Sequence, residues 1–93
     1  MADTLVFRVH ALLRMFERRI STDDVKAVIG RGETIEDYPD DRPYPSRLVM
    51  GWRGARPLHV VVADNLSENE LIVITAYEPD PSLWEADFRR RKP

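Results

Sequence analysis

From Val9 to Ile20 the apolar side chains return at helical spacing. Val9, Leu12, Leu13, Phe16 and Ile20 fall within one narrow arc when successive residues turn by about 100°, and His10, Arg14, Glu17 and Arg18 gather on another. The pattern predicts a helix over Arg8–Arg19, with a short extended piece before it at Leu5–Phe7. Ser21 reads as the N-cap of a second helix, because Asp23 and Asp24 then lie in its first turn, where the helix dipole favours negative charge. Val25, Val28 and Ile29 supply its apolar stripe, and Gly30 or Gly32 ends it.

From Glu33 the period changes towards alternation. Strands are predicted over Glu33–Tyr38, Arg47–Arg53, Arg56–Asp64 and Glu70–Glu78, with a tight turn at Gly54-Ala55 and another over Asn65–Asn69. Pro39, Pro43 and Pro45 make the stretch between the first two a surface loop. Short connections between the last three strands imply an antiparallel meander. Its centres, such as Val60-Val61-Val62-Ala63 and Leu71-Ile72-Val73-Ile74, are apolar on both faces, so the helices cover one side and another element covers part of the other. After Pro79 and Pro81, Ser82-Leu83-Trp84-Glu85 has the form of a capping box and predicts a short C-terminal helix docked by Leu83, Trp84 and Phe88. The expected fold is therefore α+β. Two N-terminal helices pack on a three- to four-stranded antiparallel sheet, with a short helix at the end, in one domain over residues 1–93.

Charge and composition narrow the functions. The 93 residues carry a net charge of −2, whereas dedicated nucleic-acid binders are usually basic. The balance is uneven: Glu33, Glu36, Asp37, Asp40 and Asp41 form an acidic stretch, and Arg89-Arg90-Arg91-Lys92 a basic tail. The acidic stretch lacks the glycine-based loop or histidine support of a metal site and reads as a solvated loop or a docking face for a basic partner. Cysteine is absent, which excludes disulfides and thiolate metal sites and fits a reducing, cytoplasmic setting. No secretory signal or membrane segment is expected, and no metal or other cofactor is implied.

The residues His10-Ala11-Leu12, Arg14-Met15, Arg18 and Ile20-Ser21, with the acidic second helix, resemble domain-of-unknown-function family 4258 of bacteria. The resemblance continues through Tyr38-Pro39-Asp40-Asp41, Pro45-Ser46-Arg47-Leu48, Pro57-Leu58-His59-Val60-Val61 and Thr75-Ala76-Tyr77-Glu78-Pro79-Asp80-Pro81. It implies a small domain of two helices and an antiparallel sheet. The family is distantly similar to the RelE/ParE-like fold of toxin–antitoxin systems, which includes ribonucleases, so RNA and an antitoxin-like protein partner are implied.

Metal-independent RNA cleavage needs a base for the 2′-hydroxyl, an acid for the leaving oxygen and a cation for the phosphorane charge. His10 supplies an imidazole, Arg14 a guanidinium one turn on, and Arg18 extends the row; the same residues read equally as a solvated helix face. His59, flanked by Leu58 and Val60, points to the other side of its strand. It meets Thr75 or Tyr77 on the next strand, depending on register, and is otherwise a structural histidine. Tyr77 is a candidate to donate to a phosphate or stack on a base, and Arg47 a candidate substrate contact. Two functions remain open: an RNA-directed, toxin-like ribonuclease or RNA binder, or a non-catalytic interaction module using its acidic loop or associating as a homodimer.

Overall fold

The computed structural model describes residues 4–93. Along the chain run β1 (Thr4–Phe7), α1 (Val9–Glu17), α2 (Thr22–Arg31), β2 (Glu33–Tyr38), β3 (Ser46–Arg53), β4 (Arg56–Asn65) and β5 (Glu70–Tyr77). The class is α+β as expected. The sheet, however, has five strands in the order β1-β5-β4-β3-β2, and it is mixed. β2 to β5 are antiparallel neighbours, whereas β1 lies parallel to β5, Leu5 opposite Leu71 and Phe7 opposite Val73. The expectation of three to four antiparallel strands is corrected on both points. The extended piece expected at Leu5–Phe7 is β1, but its place in the sheet is not legible locally, because its partner β5 is distant in sequence.

Ser21 caps α2 as expected. Its hydroxyl accepts from the Asp24 amide at 3.0 Å, and the Asp24 carboxylate accepts from the Ser21 amide at 2.9 Å, closing a reciprocal box. Those hydrogen bonds, the backbone amide first, hold the Asp24 carboxyl below its ordinary range. α1 ends two residues earlier than predicted, because Arg19 turns into the left-handed region (φ 57°). Ile20 N–H then reaches back to the Met15 carbonyl and Arg19 N–H to that of Phe16, at 2.9 and 3.2 Å, the two bonds of a Schellman ending.

The core lies between the helices and one face of the sheet. Ala11, Met15, Ile20, Val25 and Val28 pack there against Val49, Leu58, Val60, Val62, Val73 and Ala76. α2 approaches β3 closely: a Cβ on Gly51 would meet Val28 at 3.1 Å, and one on Gly32 would collide with the carbonyl oxygens of Met50 and Val28. α1 turns in the unexpected direction. Polarity alone would put its apolar arc inward, yet Ala11 and Met15 face the sheet, while Val9, Leu13 and Phe16 are 71, 56 and 86% exposed.

The C-terminal helix is absent among the described residues. Asp80, rather than Ser82, does the capping: its carboxylate accepts from the Ser82 amide and hydroxyl, both at 2.8 Å. A single turn follows, and then the chain reverses. Phe88 takes a positive φ of 56°, Trp84 bridges antiparallel to Arg91, and Lys92 N–H donates to the Leu83 carbonyl at 2.9 Å. Burial of Trp84 against the sheet outweighs the helical signal of the stretch. The segment is thus a small hairpin that straps one end of the sheet face turned away from the helices.

Candidate functional site

His59 sits beneath this strap. Alternation along β4 sends Leu58 and Val60 to the helix side and His59 to the other, where it is fully buried. Opposite it on β5 is Tyr77, the register that brings the two rings to 5.6 Å between centroids at 65°. Trp84 of the strap stands edge-on to the imidazole at 4.6 Å. The Phe88 carbonyl lies 2.8 Å from Nε2. A carbonyl only accepts, so Nε2 carries the proton, and in the neutral ring Nδ1 keeps its lone pair. That Nδ1 is buried and has no hydrogen-bond partner. Burial is the main reason that the imidazole titrates below its ordinary value.

Further charged and phenolic groups surround the pair. Glu36 and Tyr38 lie on the same sheet face, opposite Leu48 and Ser46, and the Tyr38 hydroxyl donates to the Glu36 carboxylate at 2.8 Å. Burial and that acceptor push the Tyr38 hydroxyl up to about 12. Arg91 lies 4.9 Å from the centroid of the Trp84 ring, close enough to act on His59, Tyr77 and Tyr38; Glu36 acts on the first two with opposite sign. Burial also raises the Tyr77 phenol, which therefore stays protonated and able to donate near neutral pH. Arg18 reaches the β5 backbone from the end of α1, donating to the Ala76 carbonyl at 3.0 Å, and its charge is felt at Tyr77.

Of the residues singled out in the sequence, the structure brings His59 and Tyr77 together, while Arg18 reaches only the backbone next to Tyr77 from the helix side. His10 and Arg14 stand exposed on α1, across the sheet from His59, and Arg14 pairs with Glu17 at 3.3 Å. Arg47 lies opposite Val62 on the helix side, bound to Asp64, and so is also on the wrong face to meet His59. Sequence reasoning missed Glu36, Tyr38, Trp84 and Arg91. Their common signal is weak: Glu36 and Tyr38 share a strand face by parity, but Arg91 reaches the sheet only because the tail folds back. Arg89 of that tail pairs with Glu33 at 2.6 Å instead of fraying in solvent.

The acidic loop closes over the other end of the same face, with the Ser46 hydroxyl donating to Asp41. Beneath it is a cavity of about 160 Å³, bounded by Arg8, Arg42 and Tyr44 above a floor of Val61, Ala63 and Ile74. Among the described residues no group of three or more acidic or histidine side chains is placed to hold a metal, and no helix is long and apolar enough to cross a membrane.

Fold and site together define an α+β domain with both helices on one side of a mixed sheet and an imidazole–phenol pair under a strap on the other. Within that class the chain belongs to domain-of-unknown-function family 4258, which residues 7–78 match. No curated protein and no solved structure matches it. The matched residues include both helices, β2 to β5, His59 and Tyr77; the strap lies beyond them.

Proposed function

We propose that this protein is an RNA-directed, toxin-like domain related in function to the RelE/ParE-like ribonucleases, with its chemistry on the strapped sheet face and not on α1. The carrying observation is the buried, unpartnered Nδ1 of His59, 5.6 Å ring to ring from a protonated phenol, Tyr77, with Arg91 over the adjoining Trp84 ring. Such a set matches the needs of transesterification. Nδ1 accepts the proton of a 2′-hydroxyl; the 2′-oxygen then bonds to phosphorus as the bond to the 5′-oxygen breaks. The leaving oxygen takes the Tyr77 proton, and the guanidinium of Arg91 meets the phosphorane charge. His59 is covered by Trp84 and Phe88, so the described conformation is a closed one and the reaction requires the strap to lift.

The test compares the wild type with Trp84→Ala, which thins the cover, in RNA cleavage with and without ribosomes and in growth on expression. At least tenfold faster cleavage by Trp84→Ala is expected, together with its loss when His59→Gln or Tyr77→Phe is added. If the wild type and a folded Trp84→Ala both leave RNA intact in every setting, the reading fails.

A further inference from the structure

The cavity under the acidic loop takes no part in the chemistry proposed for His59, and it is built as a separate site. Its floor is apolar, and its outer wall, the loop, is fixed in place. Asp41 N–H donates to the Tyr38 carbonyl at 3.2 Å, and Asp64 N–H to that of Pro45 at 3.1 Å. Buried Asn65 donates to the Tyr44 hydroxyl at 3.1 Å, and the Ser46 hydroxyl donates to the Asp41 carboxylate. A wall anchored in this way needs little ordering when a ligand arrives. Two cations complete the lining. Leu5 and Phe7 of β1 pack on the core, so alternation turns Arg8, still in extended backbone, towards the cavity. Arg42 comes from the loop itself. Six other arginines are held in ion pairs, whereas among the described residues neither the Arg8 nor the Arg42 guanidinium has a partner.

We propose that this cavity binds a small monocarboxylate whose apolar body is the size of one aromatic ring. Volume sets the body. The cavity holds about 160 Å³, and an apolar cavity of about 150 Å³ takes up benzene. Val61, Ala63 and Ile74 offer no side-chain hydrogen bond, so the part that rests on them is apolar. Charge sets the other end. Arg8 and Arg42 bring +2 and Asp41, also in the lining, −1, a balance of +1 that suits a single negative charge. A guanidinium fork meets a carboxylate through two parallel N–H···O bonds. A phosphate monoester, near −2, carries more charge than this balance answers. A nucleotide would also set ribose hydroxyls on valine and isoleucine, giving up their hydrogen bonds to water without replacement. The strap residues that cover His59 do not line the cavity, so this ligand enters without their lifting.

This proposal stands apart from the reading of His59, and its test does not depend on RNA cleavage. Benzoate, benzamide, naphthoate, phenyl phosphate and uridine monophosphate are titrated in turn into the full chain and followed by amide NMR shifts. Benzoate is expected to bind with a Kd on the order of 1 mM or below, and to shift the loop, Val61 and Ile74 but not α2. Neutral benzamide and the wider naphthoate bind at least tenfold more weakly, and neither phosphate binds more tightly than benzoate. Arg42→Gln, on the exposed loop and clear of the core, weakens benzoate binding at least tenfold. Val61→Phe, which fills the floor, abolishes it. Failure of benzoate to bind overturns the proposal, as do shifts confined to another surface. Equal binding of benzamide, or unchanged affinity in Arg42→Gln, overturns it too. Tighter binding of either phosphate also does so, since the cavity is then a nucleotide subsite.

Discussion

Arg56 and Arg18 are joined through the end of α1: the Arg56 guanidinium donates to the Arg18 carbonyl oxygen at 2.6 Å and to that of Arg19 at 2.7 Å. Carbonyls in the last turn of a helix have no donor within it, and positive charge there opposes the negative end of the dipole. The third nitrogen, Nε, is fixed by Glu78 at 2.8 Å. Replacing Arg56 by Ala is expected to lower stability by about 1–2 kcal/mol in urea unfolding, a range typical of charge-assisted hydrogen bonds. Arg56→Lys should recover less than half of this, because one ammonium cannot reproduce the planar fork.

Arg19 stands where the Schellman ending of α1 favours glycine. A side chain at φ 57° carries a left-handed penalty of about 1–2 kcal/mol, part of which glycine returns as unfolded-state entropy. Arg19→Gly is expected to raise stability by about 0.5–1 kcal/mol, visible as a higher urea midpoint at unchanged slope. A lower midpoint would show that the Arg19 side chain contributes more than its backbone costs.

Burial depresses the titration of His59 in the folded state, so the unfolded chain takes up the proton first as pH falls. Stability on this account is fully present above about pH 6.5, the ordinary imidazole value, and declines below it until the folded state also binds the proton. The slope approaches about 1.4 kcal/mol per pH unit at most. Urea unfolding between pH 7.5 and 5 should show the decline, and His59→Gln should flatten it. The lowered Asp24 carboxyl acts in a separate window below about pH 4, where its contribution fades as it is protonated.

The two glycines that bracket Arg31 are expected to respond in opposite directions. Gly30 lies on the exposed side of α2 with open space around it, so Gly30→Ala gains about 0.5–1 kcal/mol of helix preference. A methyl group at Gly32 would strike two carbonyl oxygens, and Gly32→Ala should cost roughly 2 kcal/mol or more. Thermal unfolding of the pair checks both signs.

Much of this architecture is legible in the chain because it is written locally. The Ser21 cap, the bounds of β2 and the turn at Gly54 depend on neighbours within a few positions, and alternation placed His59 and Tyr77 on faces that the register then matched. What escaped depends on depth and distance. A polarity pattern ranks the arc of Val9, Leu13 and Phe16 above Ala11, yet a small Ala11 beside Met15 lets α1 approach β5. The larger side chains are left outside. The strap escaped for a related reason: the fate of Ser82–Lys92 is set by the sheet that Trp84 covers. Closeness of Glu36 and Arg91 to the imidazole is likewise a property of the folded chain alone.

The parallel pairing of β1 with β5 sets an order of events during synthesis. Leu5 leaves the ribosome early, but its partner Leu71 is added only after the helices and three other strands. At about 5–20 residues per second the wait is on the order of 3–13 s. Throughout that interval the first strand has no ladder to join, and α1, tethered directly behind it, lacks the strand on which it packs. The nascent chain therefore passes through a stage in which both sides of α1 are open to water, and that is when it most needs a companion.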